Sequence, residues 1–577
     1  MTVAALLAAY RSGALDPREV VGRARARAAA AGAPAWISVV TDEDLARRLA
    51  GLPPPEAPLY GIPFAVKDNV DAAGLPTTAG CPAFAFEPPQ SAEAVARLEA
   101  AGAVVVGKTA LDQFATGLTG ARSPHGPCAS VVAAHRVSGG SSSGSAVAVA
   151  DGTVPFALGT DTAGSGRVPA AFNGLVGLKP TRGLVSTRGV VPACRSLDCV
   201  SVFTRTAADA ATVLDVLAGP DPGDPWSRAV RPLPAAGAAV VVGVPASAAF
   251  LDAASEAAWA STLEHAEALG WVVVPVDPAP FHEAGALLYE GPWVAERFAA
   301  VGAFIAAHPE AVDPAVAAIV SAGDRPSAAE LFAARHRLAE LRSAVAPVLA
   351  GADALLWPTA PGHPTLAEVA ADPVGPNAAL GTFTNFVNLL DLAAVAVPAA
   401  PRADGTPFGV TLMAPAGGDA RLLDLAARWA GEPQVLAADA AGARTALAVV
   451  GAHLSGQPLN GQLTGLGGRL LETARTAPTY RLYALPPGNG GPARPGLVGG
   501  ADGDGDGVEV ELWSLDPEGL GRLLALIPPP LGLGTVALAD GRSVLGFLCE
   551  AWAADGAPDI TAFGGWRAFL AAQAVPA

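Results

Sequence analysis

Two glycine- and serine-rich blocks constrain the structure of this chain more than any other feature. The first is SGGSSSGSAVAVA, which contains Ser141, and the second is LGTDTAGSGRVPAAFNGLVGLKPT, which contains Ser165. Runs of glycine and serine usually form flexible linkers. Here both blocks are embedded in apolar sequence, and the first continues directly into a helical pattern. Because glycine permits close backbone approach and unusual dihedral angles, the pattern favours tight turns inside a folded domain.

Strands and helices alternate around these blocks, which predicts a layered α/β domain. Residues 1–50 and 253–349 show mostly helical spacing. After residue 446 the texture changes to period-2 segments such as TYRLYALP, VEVELWSL, TVALADG and SVLGFLC. A chain of 577 residues also exceeds what one core usually supports. We therefore predict a first domain over residues 1–435, a linker over 436–447, and a smaller β-rich α+β domain over 448–577.

Composition excludes several classes of function. The formal net charge of −17 disfavours nucleic-acid binding, and no apolar stretch is long enough to span a membrane. With no leader sequence visible, we expect a cytoplasmic protein. The five cysteines form no CxxC pair, so we expect reduced thiols and no zinc site. The run DGDGDG resembles a calcium loop, but its twelfth position holds Trp513 instead of a glutamate. We predict a hairpin turn there and no bound metal.

Three residues could form a nucleophilic site: Lys67 in GIPFAVKDN, Ser141 and Ser165. A serine needs a base to become nucleophilic. His135 is the nearest histidine, but nothing local marks it as that base. A lysine can act instead if burial lowers its pKa, and Lys67 follows the apolar run FAV. A solvated lysine at a strand end is the alternative interpretation. Backbone N–H groups just before Ser165 could bind an oxyanion, at Thr162, Ala163 and Gly164.

These three blocks together resemble the amidase signature family, over roughly residues 50–430. The resemblance implies that family's fold, a mixed sheet covered by helices. It also implies a Ser-Ser-Lys triad in which Ser165 is the nucleophile, Ser141 relays the proton from a cis peptide bond at Gly140–Ser141, and Lys67 is the final base and acid. The sequence departs from the common family pattern at Ser143 and Ala163, each of which replaces a glycine.

A second motif, LLYEGPWVAERFAAVGAF, places Tyr289 just before a predicted helix and Arg297 within it, since Pro292 suits a first helical turn. An arginine fork matches a carboxylate, and a tyrosine hydroxyl can add one hydrogen bond. The alternative is that Arg297 pairs with an acid on the surface.

This motif, the DTAGSGRVPAAFN form and the C-terminal sequence together resemble the allophanate hydrolase family, over nearly the whole chain. The resemblance implies hydrolysis of allophanate, a urea carrying a carboxylate, to ammonia and carbon dioxide without a cofactor. By the same resemblance, the small anionic substrate contacts Tyr289, Arg297 and Gly117. It further implies a homodimer and association with other urea- or cyanurate-degrading enzymes.

The C-terminal domain resembles γ-glutamylcyclotransferase-like barrels, and His453 is the single histidine in it. His453 either helps to break down the carboxylated product or makes only structural hydrogen bonds. Three rival functions also stay open at this point: an amidase for a neutral amide, a tRNA-dependent amidotransferase subunit, and a non-catalytic subunit of a urea-degrading assembly.

Overall fold

The chain divides into two compact units. The computed structural model describes residues 1–237, 239–433, 435, 445–486, 493–500, 505–515 and 517–573. The first unit comprises Met1–Leu233 and Ala238–Leu436, and the second comprises Pro234–Gly237 and Ala437–Ala577. Most of the predicted linker lies outside the described residues, and its last residues belong to a strand that begins at Thr445. The linker bounds therefore stay a prediction.

A mixed eleven-stranded sheet forms the centre of the first unit. Its strands are β1 (Trp36–Val39), β2 (Pro63–Lys67), β3 (Val104–Thr109), β4 (Phe156–Thr160), β5 (Val176–Lys179), β6 (Val200–Thr204), β7 (Val241–Pro245), β8 (Val272–Val276), β9 (Ala354–Pro358), β10 (Leu392–Pro398) and β11 (Gly409–Pro415). The order across the sheet is β1-β3-β2-β4-β6-β5-β10-β11-β9-β7-β8. Strand β2 runs parallel to both β3 and β4, and every residue of β2 and β4 is buried.

The helices of this unit bury their apolar faces by packing on the sheet or on one another. They are α1 (Val3–Arg11), α2 (Pro17–Ala31), α3 (Asp42–Ala50), α4 (Glu93–Ala100), α5 (Ser143–Ala150), α6 (Val168–Phe172), α7 (Ala207–Leu217), α8 (Ala253–Ala268), α9 (Ala279–Ala286), α10 (Val294–Ala307), α11 (Pro314–Ser321), α12 (Ala328–Gly351), α13 (Leu366–Ala371), α14 (Gly375–Leu380), α15 (Phe386–Leu389) and α16 (Asp419–Ala430). Several helices begin at a residue whose side chain accepts a hydrogen bond from the first helical turn. In α12, for example, Ser327 and Glu330 form a reciprocal capping box.

Two segments that the sequence predicts as helical are strands. Strand β1 pairs antiparallel with β3, and β8 pairs parallel with β7. Both lie at the edges of the sheet, where strands are short. The valine run of β8 follows Gly270, which ends the preceding helix with a positive φ. Beta-branched residues favour extended backbone, and this local preference outweighs the helical spacing around it.

The second unit is β-rich, as predicted. Its strands are β12 (Thr445–Val449), β13 (Arg469–Arg475), β14 (Tyr480–Leu485), β15 (Arg494–Gly499), β16 (Glu509–Leu515), β17 (Leu531–Ala537) and β18 (Ser543–Cys549), and its helices are α17 (Asn460–Gly465), α18 (Pro517–Leu526) and α19 (Trp566–Gln573). Five strands form a sheet in the order β13-β16-β12-β18-β17, and β14 pairs with β15. The likeness to γ-glutamylcyclotransferase stays a prediction. Part of the predicted DGDGDG turn, residues 502–504, lies outside the described residues.

The described residues carry neither a membrane span nor a cluster of metal ligands. None of the helices found there combines the length and the apolar character that a membrane span requires. Within the same residues, no group of three or more histidine, cysteine or acidic side chains could hold a metal ion. The cysteines are free and buried.

Candidate active site

Lys67 lies at the carboxyl end of β2 and is fully buried. Its Nζ lies 2.8 Å from Oγ of Ser141 and 2.7 Å from Oγ1 of Thr160. Thr160 is the last residue of β4. Because β2 and β4 are parallel neighbours, their carboxyl ends meet at one edge of the sheet, which is where α/β proteins commonly place their sites. The interpretation of Lys67 as a solvated strand end is therefore wrong.

Burial lowers the pKa of the Lys67 ammonium from 10.5 to about 7. The carboxylates of Asp112, Asp161 and Asp198 act in the opposite direction, and the positive charge of Arg297 adds to the lowering. Loss of hydration disfavours the charged amine, and the nearby carboxylates offset this only in part. A neutral amine is thus well populated near neutral pH, as a lysine general base requires.

Ser141 lies in a turn whose backbone has little freedom. The Gly140–Ser141 peptide bond is cis, as the family resemblance implies. The N–H of Gly140 donates to the carbonyl of Leu118 at 2.8 Å, and the backbone N–H of Asp112 donates to the carbonyl of Ser141 at 3.2 Å. A Cβ atom at position 140 would clash with Oδ2 of the Asp112 side chain, so only glycine fits there. The glycine–serine block is therefore a packed turn leading into α5.

Ser165 lies on a loop that begins where β4 ends, at Thr160. Asp161 holds this loop: its carboxylate accepts from the N–H groups of Gly164 at 2.8 Å and Gly166 at 3.0 Å, and pairs with Arg167 at 2.9 Å. Burial raises the pKa of Asp161, but the Arg167 guanidinium more than offsets this and holds it below its usual range. The loop starts at Thr160, whose hydroxyl accepts a hydrogen bond from Lys67. The hydrogen bond from Ser165 to Ser141 stays a prediction.

The three backbone N–H groups predicted to bind the oxyanion differ in whether they already donate to another residue. Gly164 has a φ of +135°, and its N–H is already engaged by Asp161. Within the described chain, the N–H groups of Thr162 and Ala163 have no acceptor. Ala163 is buried and has no positive φ, so the loop accepts alanine where the family commonly has glycine. Two of the three predicted donors are thus free.

Arg297 is buried within α10 and forms a cluster with the residues that the sequence singled out. Its Nη2 donates to the hydroxyl of Tyr289 at 3.0 Å, and its Nη1 donates to Oγ1 of Thr116 at 2.9 Å. Gly117 directly follows Thr116. Only 2% of Arg297 is exposed, and in the described part of the chain it pairs with no carboxylate. The alternative of a surface ion pair is therefore wrong.

A cavity of about 700 Å³ lies beside this cluster. Its lining includes Tyr289, Leu118, His282 and Asn385. Of the three predicted substrate contacts, Tyr289 lines the cavity, Gly117 directly precedes the lining residue Leu118, and Arg297 contacts Tyr289. The predicted catalytic side chains are themselves buried, with Ser165 only 3% exposed.

Three contact residues carried no signal in the sequence. Thr160 accepts from Lys67, Thr116 accepts from Arg297, and Asp198 accepts from Thr162. Each of these bonds joins residues far apart in the chain, and the Arg297–Thr116 pair spans 181 positions. Single threonines or aspartates at such distances form no local pattern. The contact between Thr160 and Lys67 could have been predicted only from the strand order, which makes β2 and β4 neighbours.

His453 lies in the second unit, beside a separate cavity of about 500 Å³. Its ring stacks on Phe547, and its Nε2 lies 3.0 Å from Oε1 of Gln462. Burial lowers the pKa of His453, so the ring is neutral at physiological pH. Arg494 also lines this cavity, and its buried Nε has no hydrogen-bond partner among the described residues.

The sequence matches the models of two known protein families. The amidase family model matches residues 19–423. The chain belongs to the amidase family. A second model, the allophanate hydrolase C-terminal domain, matches residues 445–571 of this amidase.

Proteins with solved structures or curated sequences resemble this amidase over most of its length. The allophanate hydrolase of Kluyveromyces lactis has 39% identity and a TM-score of 0.75, covering 99% of each chain. The urea amidolyase of Saccharomyces cerevisiae is 42% identical over 93% of this chain, which spans only 31% of that protein. A structure described as a vestigial complex that reveals the origins of an s-triazine catabolic enzyme has 29% identity and a TM-score of 0.65, covering 76% of this chain and all of that one. The fold is thus shared along the whole chain.

Proposed function

We propose that this amidase hydrolyses allophanate through an acyl-enzyme on Ser165. The observation that carries the proposal is the buried guanidinium of Arg297, which has no carboxylate partner in the described part of the chain. The buried carboxylate of Asp198 acts on this charge from a distance without contacting it, so a bound anion could supply the direct partner that a buried charge favours. Allophanate carries its carboxylate at one end and a cleavable amide at the other. The likeness to the K. lactis allophanate hydrolase supports the same substrate.

The acylation step uses the lysine as base. Neutral Lys67 accepts the proton of Ser141 while Ser141 accepts that of Ser165, and Ser165 attacks the terminal amide carbonyl. Thr160 accepts one hydrogen of the Lys67 amine, which turns the nitrogen lone pair towards Ser141. The free N–H groups of Thr162 and Ala163 stabilise the oxyanion. The relay then returns a proton to the leaving amine, and ammonia departs.

Water completes the reaction by attacking the acyl-enzyme with the same relay as base. The product is a carbamate that carries a second carboxylate, and it breaks down to carbon dioxide and ammonia. Throughout, Tyr289 and Arg297 hold the carboxylate end of the substrate, and Gly117 adjoins Thr116, whose hydroxyl accepts from the guanidinium. All chemical groups in this scheme are side chains or backbone amides of the chain itself.

Among the rival functions, a neutral-amide hydrolase would leave the charge of Arg297 unpaired in the bound state. A non-catalytic subunit would have no use for a lysine whose pKa is lowered to about 7 beside Ser141. A tRNA-dependent amidotransferase subunit would bind RNA, which a net charge of −17 disfavours. The contacts of Arg297 thus favour a small anionic amide over all three.

The wild-type enzyme is expected to release ammonia from allophanate in strong preference to benzamide. Replacing Arg297 with alanine should raise KM for allophanate by about 10²-fold, because a charge-assisted bidentate contact contributes roughly 2–3 kcal/mol. The rate with benzamide should change much less, since that amide has no carboxylate. Steady-state ammonia release with both amides at fixed pH measures the two effects.

A matched control comes from Tyr289→Phe, which removes one hydrogen bond to the guanidinium and leaves its charge in place. This variant should raise KM by about 10-fold or less. If Arg297→Ala leaves KM for allophanate at the wild-type value, the arginine does not bind the carboxylate and another substrate class must be considered.

We further propose that the second unit helps to break down the carboxylated product of the amidase reaction. The supporting observation is the cavity lined by His453 and Arg494, where a buried arginine nitrogen lacks a partner. Since Nε2 of His453 faces the carbonyl oxygen of Gln462, Nδ1 is the basic nitrogen. The guanidinium of Arg494 can bind a small carboxylate in this cavity, and the neutral Nδ1 of His453 can accept a proton from water and pass it on. A purely structural His453 is the alternative.

His453→Ala should leave the first ammonia release unchanged and slow the release of carbon dioxide by about 10-fold or more. The reason is that breakdown of the carbamate needs a proton at nitrogen, and the Nδ1 of a positioned imidazole can take that proton from water and deliver it to the nitrogen. Stopped-flow detection of carbon dioxide beside an ammonia assay separates the two steps. Equal rates of carbon dioxide release from variant and wild type would assign His453 a structural role.

Association with other enzymes is the last part of the proposal. Urea amidolyase is a much longer protein that contains a region similar to this chain. The triazine-related structure is described as a complex. We propose that this chain forms a homodimer and works beside other urea- or cyanurate-degrading enzymes in the cytoplasm. Light scattering of the purified protein measures the dimer.

A further inference from the structure

Asp198 is a buried carboxylate that transfers no proton in the mechanism above, although its charge acts on the pKa of Lys67. It lies two residues before β6, and its side chain accepts three hydrogen bonds. Oδ1 accepts from the hydroxyl of Thr162 and from the N–H of Cys194 at 3.1 Å, and Oδ2 accepts from the N–H of Ala193 at 2.9 Å. One of these donors, Thr162, belongs to the oxyanion loop. The other two belong to the segment 193–198.

The segment 193–198 also contacts the helix that carries Arg297. The hydroxyl of Ser196 donates to Oε2 of Glu296 at 2.7 Å, and the thiol of Cys194 lies 3.8 Å from the carbonyl of Trp293. Glu296 directly precedes Arg297 in α10. Asp198 therefore joins, through its own buried hydrogen bonds and the contacts of segment 193–198, the loop that would stabilise the oxyanion and the helix that would bind the carboxylate.

We propose that Asp198 is a positioning residue, which holds the N–H groups of Thr162 and Ala163 at a fixed distance from the Arg297 guanidinium. This inference rests on the proposed function. Allophanate is a short, rigid molecule, so its carboxylate and its reacting carbonyl can be bound together only if these two groups are correctly spaced. Errors of about 1 Å in such spacing lower rates by as much as about 10²-fold.

The hydrogen-bond pattern explains why a carboxylate is needed. All three partners of Asp198 are donors, and only a carboxylate presents acceptors on both oxygens. In Asp198→Asn, the amide NH₂ must face either Ala193 on one side or Thr162 and Cys194 on the other, and both sides donate. At least one buried N–H or O–H group then loses its acceptor, which costs roughly 1–3 kcal/mol. The anchor of the loop is weakened while the shape of the side chain is kept.

The test compares Asp198→Asn, Thr162→Val and Thr162→Ser with the wild-type enzyme. Asp198→Asn and Thr162→Val should each lower kcat for allophanate by about 10–100-fold and change KM by less than about threefold. Thr162→Ser keeps the hydroxyl and should restore kcat to within about threefold of wild type. The double variant Asp198→Asn/Thr162→Val should lose less than the product of the two single losses, because both changes act on the Thr162–Asp198 hydrogen bond.

A fluorophosphonate, which modifies activated serines, gives a second readout that needs no amide substrate. The rate at which it labels Ser165 should fall in the two damaging variants and recover in Thr162→Ser. If the wild type is labelled but does not hydrolyse allophanate, the substrate proposal fails while the labelling rates still test Asp198. Wild-type labelling rates in both Asp198→Asn and Thr162→Val would overturn the positioning role. A wild type whose Ser165 is not labelled would overturn both proposals.

Discussion

Ser165→Ala should lower kcat for allophanate by about 10⁶-fold, the scale of loss when a serine hydrolase loses its nucleophile. Without this hydroxyl, the relay from Lys67 through Ser141 has no atom to deprotonate next to the oxyanion donors. The fold should be unaffected, since the change removes one oxygen from a loop that Asp161 holds independently. Ammonia release measures the loss, and intact-protein mass spectrometry measures the missing acyl-enzyme.

Ser143→Ala is a matched control in the neighbouring block. Ser143 begins α5, and its hydroxyl makes one 3.3 Å bond to the carbonyl of Ala110. Because the related family commonly has glycine there, alanine should be tolerated and kcat should stay within about threefold. Substantial turnover by Ser165→Ala, or an acyl group found on Ser141, would assign the nucleophile to another residue.

The triad roles of Lys67, Ser141 and Ser165 are predictions from family resemblance, and the residues themselves predicted only part of their setting. The block of Ser141 is a packed turn, as its glycines and apolar surroundings predict, and Lys67 ends a buried strand, as the apolar run before it indicates. Side-chain chemistry alone left Arg297 as either a carboxylate ligand or a surface ion pair, and its burial excludes the second. Burial depends on which helices and loops cover α10, and the spacing of residues within one helix does not contain that information.

The parts that sequence reasoning missed depend on contacts between distant segments. Strands β1 and β8 are too short to show a period, and pairing with β3 and β7 decides their conformation. The role of Asp198 was missed for the same reason, since a single aspartate before a strand forms no recognisable sequence pattern. Its importance appears only when Thr162, 36 positions earlier, is placed against it.

Lys67→Met should lower kcat for allophanate by about 10⁴-fold or more, because the relay loses its base while the length of the side chain is kept. In the wild-type enzyme, kcat/KM should rise with pH through about 7 and level off above it, since only the neutral amine accepts the proton. A profile of kcat/KM between pH 5 and 9 measures this apparent pKa. A flat profile across that range would exclude Lys67 as the titrating base.

The same substitution should change stability in a pH-dependent manner. The pKa of Lys67 is about 7 in the folded chain and near 10.5 in the unfolded chain. Below pH 7 both states hold the proton, so the cost of burying the charge is fully present. Between pH 7 and 10.5 the unfolded state binds more protons, and folding becomes more favourable as pH rises.

The free energy of unfolding of the wild type, relative to Lys67→Met, should therefore increase by about 1 kcal/mol for each pH unit above 7. Urea unfolding of both proteins at pH 7, 8 and 9 measures the difference, and the comparison cancels all groups that the two proteins share. Lys67 is held by Ser141 and Thr160 through hydroxyl groups that do not titrate in this range. Parallel pH dependences would mean that burial leaves the pKa of Lys67 unchanged, and the relay would then lack a neutral base at physiological pH.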